Sequence, residues 1–127
     1  MKKIEALDLK EMMKQQDPNY SSRSVGYIVV NTLPQNSFQK EHIPRSINVT
    51  KDDMESLKRF FDQDKLIITY CASESCDSSL KGAQELEKLG FTNVTDFEGG
   101  LAAWKDANGE VKSGAAQPSI ETDPSGV

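Results

Sequence analysis

Short apolar runs alternate with stretches of helical periodicity along this chain, and that alternation limits the available folds more than any other feature. Tyr27-Ile28-Val29-Val30 and Leu66-Ile67-Ile68-Thr69-Tyr70 are dense in β-branched and aromatic residues with no polar alternation, the pattern of strands covered on both faces. Val94 to Phe97 reads as another strand, and Ile47-Asn48-Val49, just after Ile43-Pro44, as a shorter one. Lys51 to Phe61 places Met54, Leu57, Phe60 and Phe61 at steps of three and four, and Ser78 to Leu89 does the same with Leu80, Ala83, Leu86 and Leu89. Both predict helices, and Gly90 follows the second where a left-handed C-terminal cap belongs. Ile4 to Lys14, with Leu7, Met12 and Met13 among charges, predicts a short amphipathic helix. Asp17-Pro18-Asn19 ends it, Ser21-Ser22-Arg23-Ser24 continues as loop, and a last short helix is expected around Leu101 to Trp104, after Gly99-Gly100. Strands and helices in this order predict an α/β fold, a parallel sheet with helices on both faces.

At 127 residues the chain is sized for one domain with its own core. From Asn108 to Val127 the composition turns to Gly, Ala, Ser, Pro and acids, with little apolar surface beyond Val111 and Ile120. Residues 1–107 are therefore expected to form the domain and 108–127 a flexible tail. Fifteen Lys and Arg against twenty Asp and Glu give a net charge of −5, which disfavours nucleic acid or an anionic membrane surface as a partner. No apolar run approaches the ~20 residues of a membrane span. Met1-Lys2-Lys3 is basic, but Glu5, Asp8 and Lys10 interrupt what would have to be a signal-peptide core, so a cytoplasmic protein is expected. Two cysteines are too few for a disulfide framework or a four-ligand zinc site, and one histidine leaves little for Ser-His or metal chemistry. Asp52-Asp53 and Glu85/Glu87 have no third ligand nearby and read as solvated faces. Neither a metal nor a cofactor is expected.

The informative stretch is Tyr70-Cys71-Ala72-Ser73-Glu74-Ser75-Cys76-Asp77-Ser78-Ser79. It sets a cysteine at the carboxyl end of a buried strand, where open parallel sheets bind ligands, ahead of small polar residues and a helix start. Backbone N–H groups in such a turn converge on its centre and the helix N-terminus adds partial positive charge, so a thiol there is favoured as thiolate. The expected picture is a Cys71 sulfur open to solvent inside a ring of inward-pointing amides. The plainer alternative is a cysteine that serves as a small buried hydrophobe.

The chain resembles the single-domain rhodanese (sulfurtransferase) family from about Ile4 to Lys105. Glu41-His42-Ile43-Pro44-Arg45-Ser46-Ile47-Asn48 is similar to the family element G-H-I-P-G-A-x-N, and Ile67 to Ser78 resembles the strand and cysteine loop. Leu86-Glu87-Lys88-Leu89-Gly90-Phe91-Thr92-Asn93-Val94 and Glu98-Gly99-Gly100-Leu101-Ala102-Ala103-Trp104 resemble the closing elements. The resemblance implies a central five-stranded parallel sheet flanked by helices on both faces. It also implies a sulfurtransferase in which Cys71 takes sulfane sulfur from a small-molecule or protein donor, holds it as a persulfide and passes it to a nucleophilic acceptor. Ala72, Ser73, Glu74, Ser75, Cys76, Asp77 and Ser78 would supply the anion cradle, while Ser78 or Ser79 caps the helix.

Several positions depart from that pattern. Typical loops read C-x-x-G-x-R-S; Cys71 to Asp77 spans seven residues, the length of the C-x5-R loops of phosphatase-like relatives, with Asp77 in place of their arginine. Without that guanidinium there is no bidentate phosphate clamp, and Glu74 adds further negative charge. Each acid costs an anionic substrate about 1–4 kcal/mol at a few ångströms. Phosphatase or arsenate reductase activity is not expected, and thiosulfate is expected to be a poorer donor than a thiol persulfide. The same acids oppose the backbone field on Cys71, which leaves the sign of its pKa shift open. Asn31-Thr32-Leu33 replaces the usual D-x-R, so Asn31 is left to hydrogen-bond as the acid does, without the salt bridge. Cys76 admits three roles: a resolving thiol for Cys71, an inert side chain facing the helix, or the persulfide carrier itself. His42 is expected to bond backbone, Trp104 to pack in the core, and Arg45 to be solvated. The rival functions are an inactive rhodanese-like binding module and a dithiol redox protein using Cys71 and Cys76.

Overall fold

The computed structural model describes residues 1–14 and 26–114. In chain order the elements are β1 (Lys2–Lys3), α1 (Ala6–Lys14), β2 (Tyr27–Asn31), α2 (Gln35–Lys40), β3 (Ile47–Asn48), a 3₁₀ helix (Lys51–Arg59), β4 (Leu66–Tyr70), α3 (Ser78–Lys88), β5 (Val94–Phe97) and α4 (Gly100–Asp106). The strands form one sheet in the order β1-β5-β4-β2-β3, every neighbour parallel. The expected five-stranded α/β architecture is the one observed. β4 lies at its centre, pairing along its whole length with β2 and from Ile67 onward with β5.

The uninterrupted apolar runs follow from this placement. Alternate side chains of β2 and β4 enter different cores: Ile28, Val30 and Ile67 join Met54, Leu57, Ala83 and Leu86, beneath the 3₁₀ helix and α3. Tyr27, Val29, Ile68 and Tyr70 join Leu9, Leu101 and Trp104, beneath α1 and α4. Both faces of each strand are therefore dry, and a polar alternation would leave unpaired groups in a core.

Several elements differ in detail from expectation. The stretch from Lys51 is a 3₁₀ helix, whose three-residue turn stacks Met54 directly below Leu57. In α1 the inward residues are Ala6 and Leu9, whereas Leu7 points to solvent, 70% exposed. β1 and α2 were not foreseen: two lysines carry no apolar signal, and β1 exists only by pairing with β5. Gly90 does cap α3 in the left-handed region, φ 101°. The segment 17–24 lies outside the described residues.

Part of the expected tail, residues 108–114, is among the described residues. Residues 108–114 turn back along the domain, with the Gly109 amide bonded to the Trp104 carbonyl (2.8 Å) and the Trp104 indole to the Glu110 carbonyl (2.6 Å). Lys112 pairs antiparallel with His42, and the Gly114 amide reaches the Gln39 carbonyl. Backbone hydrogen bonds to partners far off in sequence hold this stretch, and composition does not register them. Positions 115–127 of the expected tail lie outside the described residues.

Candidate active site

The site begins with Tyr70, the last residue of β4. Its side chain is fully buried, and its hydroxyl accepts from Asn31 Nδ2 (3.0 Å) and the Ile43 amide (2.9 Å). Ser46 Oγ donates to the Ile43 carbonyl (2.6 Å), so the phenol proton goes to Ser46 Oγ (2.8 Å). Burial pushes the Tyr70 pKa up to about 12 despite these partners. Thr32 closes the strand end from the other side: its amide and its hydroxyl both donate to the Tyr70 carbonyl, at 3.0 and 3.1 Å.

Cys71 follows, and α4 anchors its backbone. The Leu101 amide donates to the Cys71 carbonyl and the Ala102 amide to the Ala72 carbonyl, both at 2.9 Å. Gly100 makes this approach feasible. At φ 63° it adopts a conformation that L side chains rarely take, and a Cβ there would lie 2.4 Å from the Cys71 carbonyl oxygen.

Contrary to expectation, Cys71 does not face open solvent; it is 0% exposed. Its surroundings are polar rather than aliphatic: the Cys76 carbonyl lies 3.3 Å from its sulfur, Ser79 Oγ 3.7 Å and the Ser73 carbonyl 3.8 Å. Desolvation raises its pKa, and a hydrogen bond with the Cys76 side chain raises it further; the Ser79 amide and the Ser79 and Ser78 hydroxyls act in the opposite direction. Cys76 is half-buried, and its sulfur is 3.4 Å from Ser78 Oγ. Burial raises its pKa too, but hydrogen bonds from the Cys71 thiol, the Ser78 hydroxyl and the Ser78 and Ala72 amides outweigh that and bring it below the ordinary value. Of the two thiols, Cys76 is therefore the one favoured as thiolate.

The other loop positions take distinct places. The Cys76 amide, expected in the cradle, is turned to the Ser73 carbonyl (3.0 Å), closing a tight turn. The hydroxyls of Ser73 and Ser75 bond each other (2.9 Å), while Ala72 and Glu74 are exposed. Asp77 occupies the N-cap position of α3 without a side-chain cap, and its carboxylate pairs with Lys81 (3.2 Å). Ser78 and Ser79 do not cap the helix, because their hydroxyls turn toward the two sulfurs. Sequence reasoning missed Ser79 as a sulfur partner and Lys81 as the partner of Asp77, although the i,i+4 spacing of the latter pair is legible. His42 Nδ1 bonds the Phe38 carbonyl (2.8 Å) and its ring stacks on Phe38, which leaves it in a structural role. Among the described residues, no three His, Cys, Asp or Glu side chains gather in a way that could hold a metal ion.

The sequence profile of the rhodanese-like domain matches residues 5–107. The chain belongs to the rhodanese-like domain family. It is 30% identical over 80 residues to the thiosulfate sulfurtransferase GlpE of Shewanella oneidensis, covering 63% of this chain and 77% of that protein. The corresponding protein of Pseudomonas syringae is 28% identical over 83 residues, covering 65% and 76%. Among solved structures, the BH2092 protein of Bacillus halodurans superposes with a TM-score of 0.76 at 28% identity, covering 90% of this chain and 78% of that one.

As a rhodanese-like domain, the chain accommodates its own departures. Arg45, where the family element has glycine, sits at φ 69°, a conformation glycine adopts without strain. Asn31 does bond as an acid would: its Oδ1 accepts from the Leu33 amide (2.8 Å), while Nδ2 serves Tyr70. Thr32, in place of a salt-bridging residue, ties the strand end to Ser78 through a 2.9 Å hydroxyl contact.

Proposed function

We propose that this protein is a sulfurtransferase that carries sulfane sulfur as a persulfide on Cys71, between a thiol persulfide donor and a nucleophilic acceptor. The observation that carries this reading is the place of the Cys71 sulfur, at the carboxyl end of the central strand and 3.7 Å from Ser79 Oγ in the first turn of α3. The names of the curated relatives, thiosulfate sulfurtransferases, support the same class of chemistry.

In the first step the Cys71 sulfur attacks the outer sulfur of R–S–SH. The S–S bond of the donor breaks, R–S⁻ leaves, and Cys71–S–SH forms. The Cys71 proton leaves to solvent or to the departing R–S⁻ as the loop opens for the donor. In the second step an acceptor nucleophile takes the outer sulfur and Cys71 departs as thiolate, so ping-pong kinetics are expected. Because Cys71 is buried with the Ser73 and Cys76 carbonyls against its sulfur, donor binding requires that turn to open. Lys81 offsets much of the Asp77 charge, so the penalty on a dianionic donor such as thiosulfate is nearer the lower limit, about 1 kcal/mol, and comes mainly from Glu74.

Intact-mass measurement tests the proposal. Cys76→Ser treated with a small-thiol persulfide should gain one sulfur, about 32 Da, and lose it to cyanide, whereas Cys71→Ser should gain none. If no chain with Cys71 intact gains sulfur, the protein is a binding module. A gain retained by Cys71→Ser would instead make Cys76 the carrier.

A further inference from the structure

The geometry points to a second step in the same loop, resting on the sulfur-carrier reading above: Cys76 attacks the persulfide held on Cys71, closing a Cys71–Cys76 disulfide and releasing hydrosulfide. The protein would then reduce sulfane sulfur to sulfide as well as pass it on, and its second substrate would be a dithiol reductant.

Three observations carry this. Both sulfurs meet the first turn of α3, with Ser79 Oγ 3.7 Å from the Cys71 sulfur and the adjacent Ser78 Oγ 3.4 Å from the Cys76 sulfur. The Ser73–Cys76 turn folds the chain back over Cys71, placing the Cys76 carbonyl 3.3 Å from the Cys71 sulfur. A disulfide across so short a loop requires this kind of reversal, because the two Cα atoms must approach to roughly 4.4–6.8 Å. Finally, the Ser78 hydroxyl lies 3.4 Å from the Cys76 sulfur, and with the Ala72 and Ser78 amides it favours the thiolate there. An inert side chain facing the helix has no use for donors arranged in this way, whereas an attacking thiolate does.

The balance closes within the loop. Cys76–S⁻ attacks the inner sulfur of Cys71–S–SH, an S–S bond forms between the cysteines, and the bond to the outer sulfur breaks. The outer sulfur leaves as HS⁻ with the bonding pair of the broken S–S bond, while Cys76 supplies the pair for the new one; over capture and release together the sulfane sulfur gains two electrons and the two cysteines lose one each. Cys76 faces water on one side, so it can lose its proton before it attacks. Return to the dithiol takes two electrons and two protons from an external dithiol through a mixed disulfide.

The test treats the full chain, reduced and under anaerobic conditions, with one equivalent of a small-thiol persulfide. Mass and released sulfide are then followed against a donor-only control. The wild-type chain should end about 2 Da lighter with close to one equivalent of sulfide, and dithiothreitol should restore its mass. Cys76→Ser and Cys76→Ala should both stop at the gain of about 32 Da and release no sulfide above the control. A wild-type chain that keeps its added sulfur as long as the two variants do overturns the inference and leaves the sulfur-carrier reading standing. Failure of the Cys76 variants to acquire sulfur overturns both.

Discussion

The two ends of the active-site loop are held by different means. At the strand end, Tyr70 and Cys71 are bound from every side: Asn31, Ile43 and Ser46 on the phenol, Thr32 on the Tyr70 carbonyl, and Leu101 on the Cys71 carbonyl. These partners come from three separate stretches of chain. At the helix end, the Cys76 sulfur is held by neighbours in sequence, namely the Ser73 turn, the Ser78 hydroxyl and the nearby amides. One sulfur is placed by the whole fold, the other by a local turn. The first arrangement gives rigidity at the cost of access; the second gives access and a stabilised thiolate.

The sharpest way to break this contrast is Gly100→Ala. Its Cβ would meet the Cys71 carbonyl at 2.4 Å and the Ala72 carbonyl carbon and Ser73 amide at 2.9 Å, on backbone that cannot yield. We expect a loss of about 3 kcal/mol in urea denaturation and at least a tenfold fall in sulfur capture. Unchanged stability would mean that the strand end does not depend on α4.

Tyr70→Phe tests the same end more gently. Removing a hydroxyl that serves three partners should cost about 2 kcal/mol at neutral pH. It also carries a pH signature. Folding raises the Tyr70 pKa from 10.0 to about 12, so its neutral form is favoured in the folded state. That contribution is complete below pH 10.0 and is lost as the pH rises toward 12, by up to about 3 kcal/mol. Stability measured against pH should therefore fall more steeply over this window in the wild type than in Tyr70→Phe; parallel curves would contradict the assignment.

The smallest effect is kinetic. With brief iodoacetamide labelling at pH 7, Cys76 should react about tenfold faster than Cys71, since only Cys76 is both accessible and favoured as thiolate. The pH midpoint of its labelling should lie below the ordinary thiol value of 9.0, and that of Cys71 above it. Equal rates would show that the two ends of the loop do not differ in this way.

Much of the architecture was legible from residue patterns. The runs at 27–30, 66–70 and 94–97 are strands because a centrally placed parallel strand tolerates no polar face, and this burial is written directly into the sequence. β1 was not legible, because an edge strand of two lysines owes its existence to its partner. The same holds for residues 108–114, whose polar composition reads as tail although His42 and Gln39 hold their backbone. In the loop, position and residue type were enough to mark Cys71 and Cys76 as reactive candidates. They were not enough to show which sulfur is covered, that Ser78 and Ser79 turn away from capping, or that Lys81 meets Asp77.

The sequence by itself determined a parallel sheet with a cysteine at the end of its central strand, because hydrophobic periodicity and the residues after that strand act over a few neighbouring positions. Which thiol holds the charge was decided only by tertiary structure. A pKa in this loop depends on desolvation and on the direction of a few hydrogen bonds, and those are set where α3, α4 and the strand ends meet.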